Sequence, residues 1–268
     1  MKKLLLFLLL VSVVSFGQTA VDLNTSGNTK LNFKDYKGAI EDYSKAIELD
    51  PDYEPAYYNR GNAKMNLKDY KGAIEDYDIA IEFNPDFAST FNNRGLAKAN
   101  LKDYYGAIED YSRAIALDPD YTYAFNNRGI AKKNLKDYYG AVNDYSRAIE
   151  LKPDNVYAYY FNRGNAKKNL KDYYGAINDY SKSIELAPDY PMAYNNRAYA
   201  KDQLKDHYGA INDFSKAIEL NPDFAMAYNN RGFAKYNLND IDGACKDVRI
   251  AVSLGYVDSQ NFIGQICN

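Results

Sequence analysis

The hydrophobic positions of this chain recur with the period of a helix. Between residues 70 and 81 the apolar or small side chains are Tyr70, Ala73, Ile74, Tyr77, Ala80 and Ile81. Spacings of three and four residues place such side chains in one stripe along an α-helix. Asp69 directly before the stripe is a natural N-cap, and Pro85 cannot continue a helix. The pattern therefore predicts a helix between these two residues.

A second apolar stripe precedes the first and predicts a partner helix. Tyr57, Gly61, Lys64 and Leu67 mark one face of it. Gly61 and Ala73 are both small, so the two helices can approach closely, and the ring of Tyr77 would fill the space beyond them. The segment from about 54 to 87 is thus predicted to be a helical hairpin.

The same hairpin pattern returns about every 34 residues. Proline recurs at 51, 85, 119, 153, 188 and 222, and Asn-Arg-Gly or Asn-Arg-Ala recurs at 59–61, 93–95, 127–129, 162–164, 196–198 and 230–232. A period of this length indicates a stacked repeat protein. Seven units are expected, starting near residues 20, 54, 88, 122, 157, 191 and 225. The first lacks a good first helix, and the last has Ile241 and Val248 in place of aromatic residues, as the ends of a stack require.

The repeat resembles the tetratricopeptide repeat family over nearly the whole chain. The family signature is an aromatic, a Gly, an Ala, an aromatic, an Ala and a Pro, and two units that meet it fully are Tyr57, Gly61, Ala73, Tyr77, Ala80, Pro85 and Phe91, Gly95, Ala107, Tyr111, Ala114, Pro119. Arg and Lys replace the usual Leu and aromatic of the first helix. The resemblance implies an all-α, right-handed α-solenoid over residues 18–257. Residues 258–268 are predicted to form a short capping helix, with Phe262, Ile263 and Ile266 as its buried side.

The amino terminus has the pattern of a secretory signal peptide. Lys2 and Lys3 precede thirteen mostly apolar residues, and Ser15 and Gly17 are small residues of the kind a signal peptidase reads. The alternative is a membrane anchor, but the run is shorter than the ~18–20 residues that span a bilayer. Cleavage before Gln18 is expected, and the mature protein is expected to be periplasmic or secreted and not an integral membrane protein. The formal net charge of −3 argues against nucleic-acid binding.

Residues that could carry catalysis are few. His207 is the only histidine, and no Cys or His cluster has the spacing of zinc ligands. One carboxylate recurs in every second helix, including Asp42 and Asp76, and the repeated arginine Arg60 is expected to pair with one of these two. Exposed pairs of that kind contribute only ~0–1 kcal/mol. The protein is therefore expected to be no enzyme and to need no cofactor or metal.

Two rows of asparagine follow the first helices. In the tetratricopeptide family the first helices line the concave surface, and asparagines there bind the backbone of an extended peptide, which an amide can do because it both donates and accepts. The alternative is that these side chains solvate the surface or cap the neighbouring repeat. Together with variable neighbours they form the predicted partner-binding groove: Asn93, Asn127, Asn162, Asn196, Asn230, Asn134, Asn169, Phe161, Tyr199, Lys133 and Lys168.

The expected function is that of a protein–protein interaction scaffold with a protein or peptide partner. Lys133 and Lys168 are the only basic residues among the variable groove positions, so a mixed polar and aromatic groove is expected rather than a clamp for a carboxy-terminal carboxylate. A carbohydrate or cell-envelope polymer is the alternative ligand, because Tyr rings and Asn amides also suit sugars. A purely structural spacer is a third reading.

Cys245 and Cys267 are the only cysteines. In an oxidising compartment they are expected to form a disulfide between the last repeat and the cap. The helix of Cys245 and the cap would turn back near Tyr256, which lies eleven residues from each cysteine. Two buried free thiols are the alternative, because Cys245 occupies a position that is Ile in other repeats.

Overall fold

The computed structural model describes residues 18–151, 154, 156–256 and 267. The expected signal peptide lies outside these residues, as does the expected capping helix except for Cys267. The described part of the chain contains no strand and fourteen α-helices, which confirms the expected all-α class. They are α1 (Ala20–Asn32), α2 (Tyr36–Leu49), α3 (Glu54–Asn66), α4 (Tyr70–Phe83), α5 (Ala88–Asn100), α6 (Tyr104–Leu117), α7 (Thr122–Asn134), α8 (Tyr138–Glu150), α9 (Val156–Asn169), α10 (Tyr173–Leu186), α11 (Pro191–Gln203), α12 (His207–Leu220), α13 (Ala225–Asn237) and α14 (Ile241–Ser253).

The described part of the chain forms two compact units, which divide between Asp86 and Phe87. In the described part of the first unit, α1 packs on α2 and α3 on α4. In the second unit five hairpins follow one another, from α5 with α6 to α13 with α14. Within each unit every second helix also packs on the first helix of the next hairpin, as α2 does on α3 and α6 on α7. The architecture is an all-α repeat solenoid.

Each predicted second helix begins at an aspartate cap. The Asp69 carboxylate accepts a hydrogen bond from the backbone N–H of Gly72 at 3.1 Å, so the predicted cap is confirmed. Asp103 does the same for Gly106 at 3.0 Å. Such bonds satisfy backbone donors that the first turn of a helix leaves unpaired. The aspartate before each second helix, which follows a Lys in six hairpins and Asn239 in the last, is therefore a helix start signal.

The turn inside each hairpin passes through one residue of left-handed backbone. Among the described residues the positions with φ of 62–65° are Lys34, Lys68, Lys102, Lys136, Lys171, Lys205 and Asn239. Left-handed backbone costs a residue with a side chain roughly 1–2 kcal/mol, and Gly or Asn usually takes this place. Backbone bonds fix the turn nonetheless: Lys68 N–H donates to the Met65 carbonyl at 3.0 Å, and Asp69 N–H to that of Lys64 at 2.9 Å.

A glycine of the first helix faces a buried aromatic ring of the second. A Cβ atom on Gly61 would lie 2.6 Å from Cε1 of Tyr77, and one on Gly164 would lie 2.7 Å from Cε1 of Tyr180. Both rings are completely buried. Two hairpins depart from this pattern. Ala198 packs with Phe214, which lacks the hydroxyl. Gly232 faces Val248, where a Cβ atom would lie 2.7 Å from Cγ2. Close helix contact through a small residue therefore forms the core of each hairpin.

The first hairpin corrects one expectation, because its first helix is well formed. Thr19 caps α1 and accepts a hydrogen bond from Asp22 N–H at 3.1 Å, while the Asp22 carboxylate accepts one from Thr19 N–H at 3.0 Å. This reciprocal capping box satisfies two donors at once. The helix buries Leu23, and Gly27 contacts the ring of Tyr43. The signal missed in the sequence was the Thr-x-x-Asp cap, which compensates for weak apolar periodicity.

The last repeat is tied to the carboxy-terminal segment through its cysteine. The structure joins Cys245 of α14 and Cys267 in a disulfide with Cα atoms 5.5 Å apart. Arg249, one turn along α14, donates a hydrogen bond to the Cys267 carbonyl at 3.0 Å. The described part of the chain holds no free cysteine.

Candidate partner-binding face of the first helices

A buried carboxylate in the second helix holds two cations of the first helix in every hairpin from α3–α4 to α13–α14. Of the two partners expected for Arg60, the structure selects Asp76, which accepts bonds from Nε at 3.0 Å and from Nη2 at 2.7 Å. Lys64 Nζ contacts Oδ2 of the same carboxylate at 2.8 Å. The same Arg–Asp–Lys triad recurs with Asp110, Asp144, Asp179, Asp213 and Asp247.

These triads are buried, which corrects the expectation of weak exposed pairs. The Asp76 side chain is only 2% exposed, whereas that of Arg60 is 19% exposed. Arg60 also donates to the Ser44 hydroxyl of the preceding hairpin at 3.1 Å. Removing one partner of such a pair leaves a buried charge uncompensated and costs about 3–5 kcal/mol. The two departures from the family signature, Arg and Lys, are thus explained as partners of one carboxylate.

The first asparagine row connects successive repeats. Asn127 Nδ2 donates to Asn92 Oδ1 at 3.1 Å, and Asn196 Nδ2 donates to Asn165 Oδ1 at 2.8 Å. Further bonds of this kind are Asn59 to Asn24 at 2.9 Å, Asn162 to Asn126 at 3.2 Å and Asn230 to Asn195 at 3.4 Å. Asn93 accepts from Asn92 at 3.1 Å. These amides, which were expected to bind a peptide, are therefore already hydrogen-bonded between or within first helices. Their position on the helix directs the side chains toward the neighbouring repeat.

The second asparagine row is exposed, and three of its members, Asn66, Asn100 and Asn169, bond to their own helix. Asn169 Nδ2 donates to the Asn165 carbonyl at 2.7 Å, and Asn100 Nδ2 donates to the Leu96 carbonyl at 2.8 Å. Asn134 is likewise exposed. Because these amides lie at the surface, their remaining groups are accessible to a ligand.

Phe161 was expected in the groove, and the structure places it in the core instead. It is 8% exposed, and its ring lies 4.9 Å from that of Tyr190 and 5.9 Å from that of Tyr180, measured between centroids. The reason is its register, which is the register of the buried Asn92 and Asn195. A side chain at this position points toward the second helix of its own hairpin and toward the turn before the next hairpin. An aromatic residue there therefore adds to the core.

A cavity opens between α5 and α7 on the first-helix face. Its volume is about 210 Å³, and Leu96 and Ile130 supply much of its apolar wall. The ring of Tyr111 forms its floor with Ala131, and polar groups at the rim come from Asn100, Asn127 and Asn134. Leu96 and Ile130 replace the asparagine found at 62 and 165, and this substitution was the sequence signal for the cavity. Both residues occupy a variable position beside the asparagine rows, where side chains were expected to set which partner binds.

Two predicted groove lysines lie on neighbouring first helices without a counterion. Lys168 of α9 stands over the ring of Tyr199 of α11, with Nζ 5.4 Å from the ring centroid. Burial lowers the pKa of Lys168, and the charge of Lys133 on α7 lowers it further. No carboxylate lies within ion-pair distance of either ammonium group in the described part of the chain. The structure thus brings Lys133, Lys168 and Tyr199 together.

Exposed aromatic side chains extend the same face toward the last hairpin. Tyr199 and Phe233 are 38% and 39% exposed, and both line a second cavity, of about 320 Å³, between α11 and α13. Asp202 lies beside Tyr199, and its carboxylate is 2.7 Å from His207 Nδ1. The only histidine therefore joins the end of α11 to the start of α12.

The described residues include no group of three or more His, Cys, Asp or Glu placed to hold a metal ion. Within the same residues, no helix combines the length and the apolar character needed to cross a membrane. The polar side chains of the first-helix face are amides, lysines and tyrosines, which recognise ligands by hydrogen bonds and charge.

Solved structures with a similar fold are repeat proteins. The carboxy-terminal part of a TPR repeat-containing protein from Cytophaga hutchinsonii gives a TM-score of 0.73 at 20% identity, over 90% of this chain and 98% of that one. YrrB, a TPR protein with an unusual peptide-binding site, gives 0.60 at 22% identity, over 69% and 95%. A chain of the APC/C hetero-tetramer Cut9-Hcn1 gives 0.65 at 22% identity over 82% of this chain, which spans only 43% of that one. No curated protein matches the chain.

Family models match almost every repeat. The model described as TPR repeat matches residues 33–68. Models described as tetratricopeptide repeat match 55–87, 88–121, 122–155, 157–190, 191–224 and 214–246. One of these models alone accounts for four repeats and half of the chain. With the glycine–aromatic packing and the hairpin stacking, this shows that the chain belongs to the tetratricopeptide repeat family.

Proposed function

We propose that this protein is a non-catalytic, exported interaction scaffold that binds an extended segment of a partner protein on its first-helix face. The binding face lies in the unit of residues 87–256. One observation carries the proposal: the accessible cavity, the lysines without counterions and the exposed aromatic rings all lie on first helices of this unit. A face of this composition offers apolar anchoring, charge and hydrogen bonding to a peptide.

The rigidity of the face supports this proposal. Every first helix from α5 to α13 is held to its second helix by a buried Arg–Asp pair, and the asparagine bonds connect it to its neighbours. A surface that is already ordered loses little entropy when a ligand binds. YrrB, whose fold is similar, is a TPR protein with a peptide-binding site. Both points favour binding over a purely structural spacer.

A photo-crosslinking experiment tests the proposal with a matched pair of positions. Tyr199 and Tyr208 are both exposed tyrosines of the hairpin formed by α11 and α12, but only Tyr199 lies on the first helix. Each is replaced in turn by the photo-reactive residue p-benzoyl-phenylalanine, and the protein is irradiated in envelope extract of its native host. We expect protein adducts from position 199 and few from position 208.

The result that contradicts the proposal is equally specific. Adducts from position 208 with none from position 199 would assign binding to the second helices. If neither position gives adducts, position 130 beside the α5–α7 cavity is tried next. Absence of adducts there too would reject partner binding on this face.

Carbohydrate binding remains a second candidate function because of a row of exposed tyrosines. Tyr105, Tyr139, Tyr174 and Tyr208 occupy the second position of four successive second helices and are 73–77% exposed. Flat aromatic rings at solvent-exposed, repeated positions can stack on the sugar units of a polymer. The row lies on the second helices, so it differs from the groove in which we expected sugars from the sequence.

Retention on an insoluble polysaccharide distinguishes this candidate. The variant Tyr174→Ala/Tyr208→Ala removes two rings of the row, and Tyr199→Ala/Phe233→Ala removes two rings of the first-helix face. Polysaccharide binding requires that the first variant lose retention while the second keeps it. Equal retention of both variants and the wild type would reject a role for the tyrosine row.

A further inference from the structure

We infer that the partner segment carries an acidic side chain that binds between Lys133 and Lys168, and an apolar side chain about three residues away that fills the α5–α7 cavity. This inference rests on the proposed function and specifies the chemistry of its ligand. The occupant is an extended peptide segment of a protein.

The acidic residue follows from the unbalanced charge of the lysine pair. The lysines at the repeat position of Lys64, from α3 onward, each share a buried aspartate with an arginine, as Lys132 and Lys167 do. Lys133 and Lys168, one residue further along, have no such partner among the described residues. Two neighbouring cations without a counterion repel each other, and the ring of Tyr199 satisfies only one of them. A carboxylate placed between the two ammonium groups would remove the repulsion and form charge-assisted hydrogen bonds.

The apolar residue follows from the size and lining of the cavity. Its volume of about 210 Å³ exceeds the roughly 150 Å³ that accommodates a benzene molecule in a protein interior. A leucine, methionine or phenylalanine side chain therefore fits. Leu96 and Ile130 provide apolar contacts, while Asn100 and Asn134 at the rim can bond to the backbone that carries the side chain.

The separation of the two residues follows from the spacing of the helices. The cavity lies between α5 and α7, and the lysine pair lies on α7 and α9, so the two subsites are displaced by one first-helix spacing. Packed helices are about 10 Å apart. An extended chain advances about 3.3 Å per residue, so about three residues separate the acidic and the apolar side chains.

Peptide display tests this inference with the mature protein. A library of random twelve-residue peptides on phage is selected against the wild type and three variants. Lys133→Gln/Lys168→Gln removes both charges. Ala99 also lines the α5–α7 cavity, and Ala99→Leu fills it. Lys182→Gln/Lys216→Gln removes two charges from exposed pairs on second helices and is the control. Circular dichroism and thermal unfolding establish that all four proteins are folded.

The wild type and the control should enrich peptides with Asp or Glu two to four residues from Leu, Ile, Met or Phe. The lysine variant should lose the acidic preference and keep the apolar one, and Ala99→Leu should do the reverse. A synthetic peptide of the enriched sequence should bind the lysine variant about ten- to a hundred-fold more weakly. A version with Gln in place of the acidic residue should bind the wild type, the control and the lysine variant about equally weakly, and Ala99→Leu more weakly still.

The outcomes separate this inference from the proposed function. Enriched peptides without an acidic residue, or a preference unchanged in the lysine variant, would overturn the inference while leaving peptide binding intact. Dependence on a free carboxy terminus, lost on amidation, would show that the lysines bind a chain end and not a side chain. No enrichment by the wild type would overturn the proposed function, and the inference with it.

Discussion

The hydroxyl of Tyr145 gives the sharpest test of how the repeats are stabilised. It is buried and has no hydrogen-bond partner among the described residues. In the next hairpin the equivalent Tyr180 donates to Asn165 Oδ1 at 2.9 Å. The difference arises one helix away, because Ile130 occupies the position of Asn165 and packs against Tyr145 with an apolar side chain.

Replacing each tyrosine by phenylalanine should therefore have opposite effects on stability. A buried polar group without a partner costs about 1–3 kcal/mol, so Tyr145→Phe should raise the free energy of unfolding by about 1 kcal/mol. Tyr180→Phe loses a made bond and should lower it by about 0.5–1.5 kcal/mol. Phe214 shows that the fold accepts phenylalanine at this position.

Urea unfolding followed by circular dichroism measures both changes. The midpoint should rise for Tyr145→Phe and fall for Tyr180→Phe at an unchanged slope, since neither variant alters the surface exposed on unfolding. A third variant, Ile130→Asn, supplies the missing acceptor, and in its background Tyr145→Phe should no longer stabilise the protein. Equal destabilisation by Tyr145→Phe and Tyr180→Phe would refute the reasoning, because it would mean that the Tyr145 hydroxyl is satisfied.

Three other predictions concern the remaining structural features. Asp179→Asn should lower the free energy of unfolding by about 3–5 kcal/mol because two cations lose a buried partner, whereas Glu185→Gln in an exposed pair should change it by less than about 0.5 kcal/mol in the same urea titration. Lys102→Gly should stabilise by up to about 1 kcal/mol through relief of left-handed backbone strain; a lower urea midpoint would contradict this. Intact-mass analysis of protein exported by the native host should give a chain beginning at Gln18 with no free thiol, and retained Met1 or two titratable thiols would contradict the export hypothesis or the disulfide.

The helices could be predicted from the sequence because their signals are local. The stripe from Tyr70 to Ile81 and the Asp69 cap lie within one segment, and repetition at 34 residues confirmed the pattern several times. The pairing of Arg60 needed the structure. Two carboxylates, Asp42 and Asp76, were available at repeat spacing, and only the packing of α3 on α4 selects between them.

The binding face was harder to predict, because the position of a residue within the repeat does not show where its side chain points. Asn127 and Asn134 differ by two helical turns and were expected to share one role. The structure bonds Asn127 to Asn92 of the preceding repeat and leaves Asn134 exposed at the cavity rim. Phe161 was placed on the face because it varies between repeats, yet its variation fills the core. Variability alone therefore does not distinguish a ligand contact from a local repacking.

The position occupied by Asn62 and Asn165 links recognition to local opening of the chain. Where it is asparagine, it receives the hydroxyl of the buried tyrosine; where it is Leu96 or Ile130, a cavity can form, but the tyrosine loses that partner. The hairpins that offer a pocket are therefore the ones held together by fewer internal bonds. Their backbone amides should exchange with solvent sooner than those of α9 and α10, and an occupant of the cavity should slow that exchange. A mutation at this one position therefore changes both which ligand side chain is bound and how readily the hairpin opens.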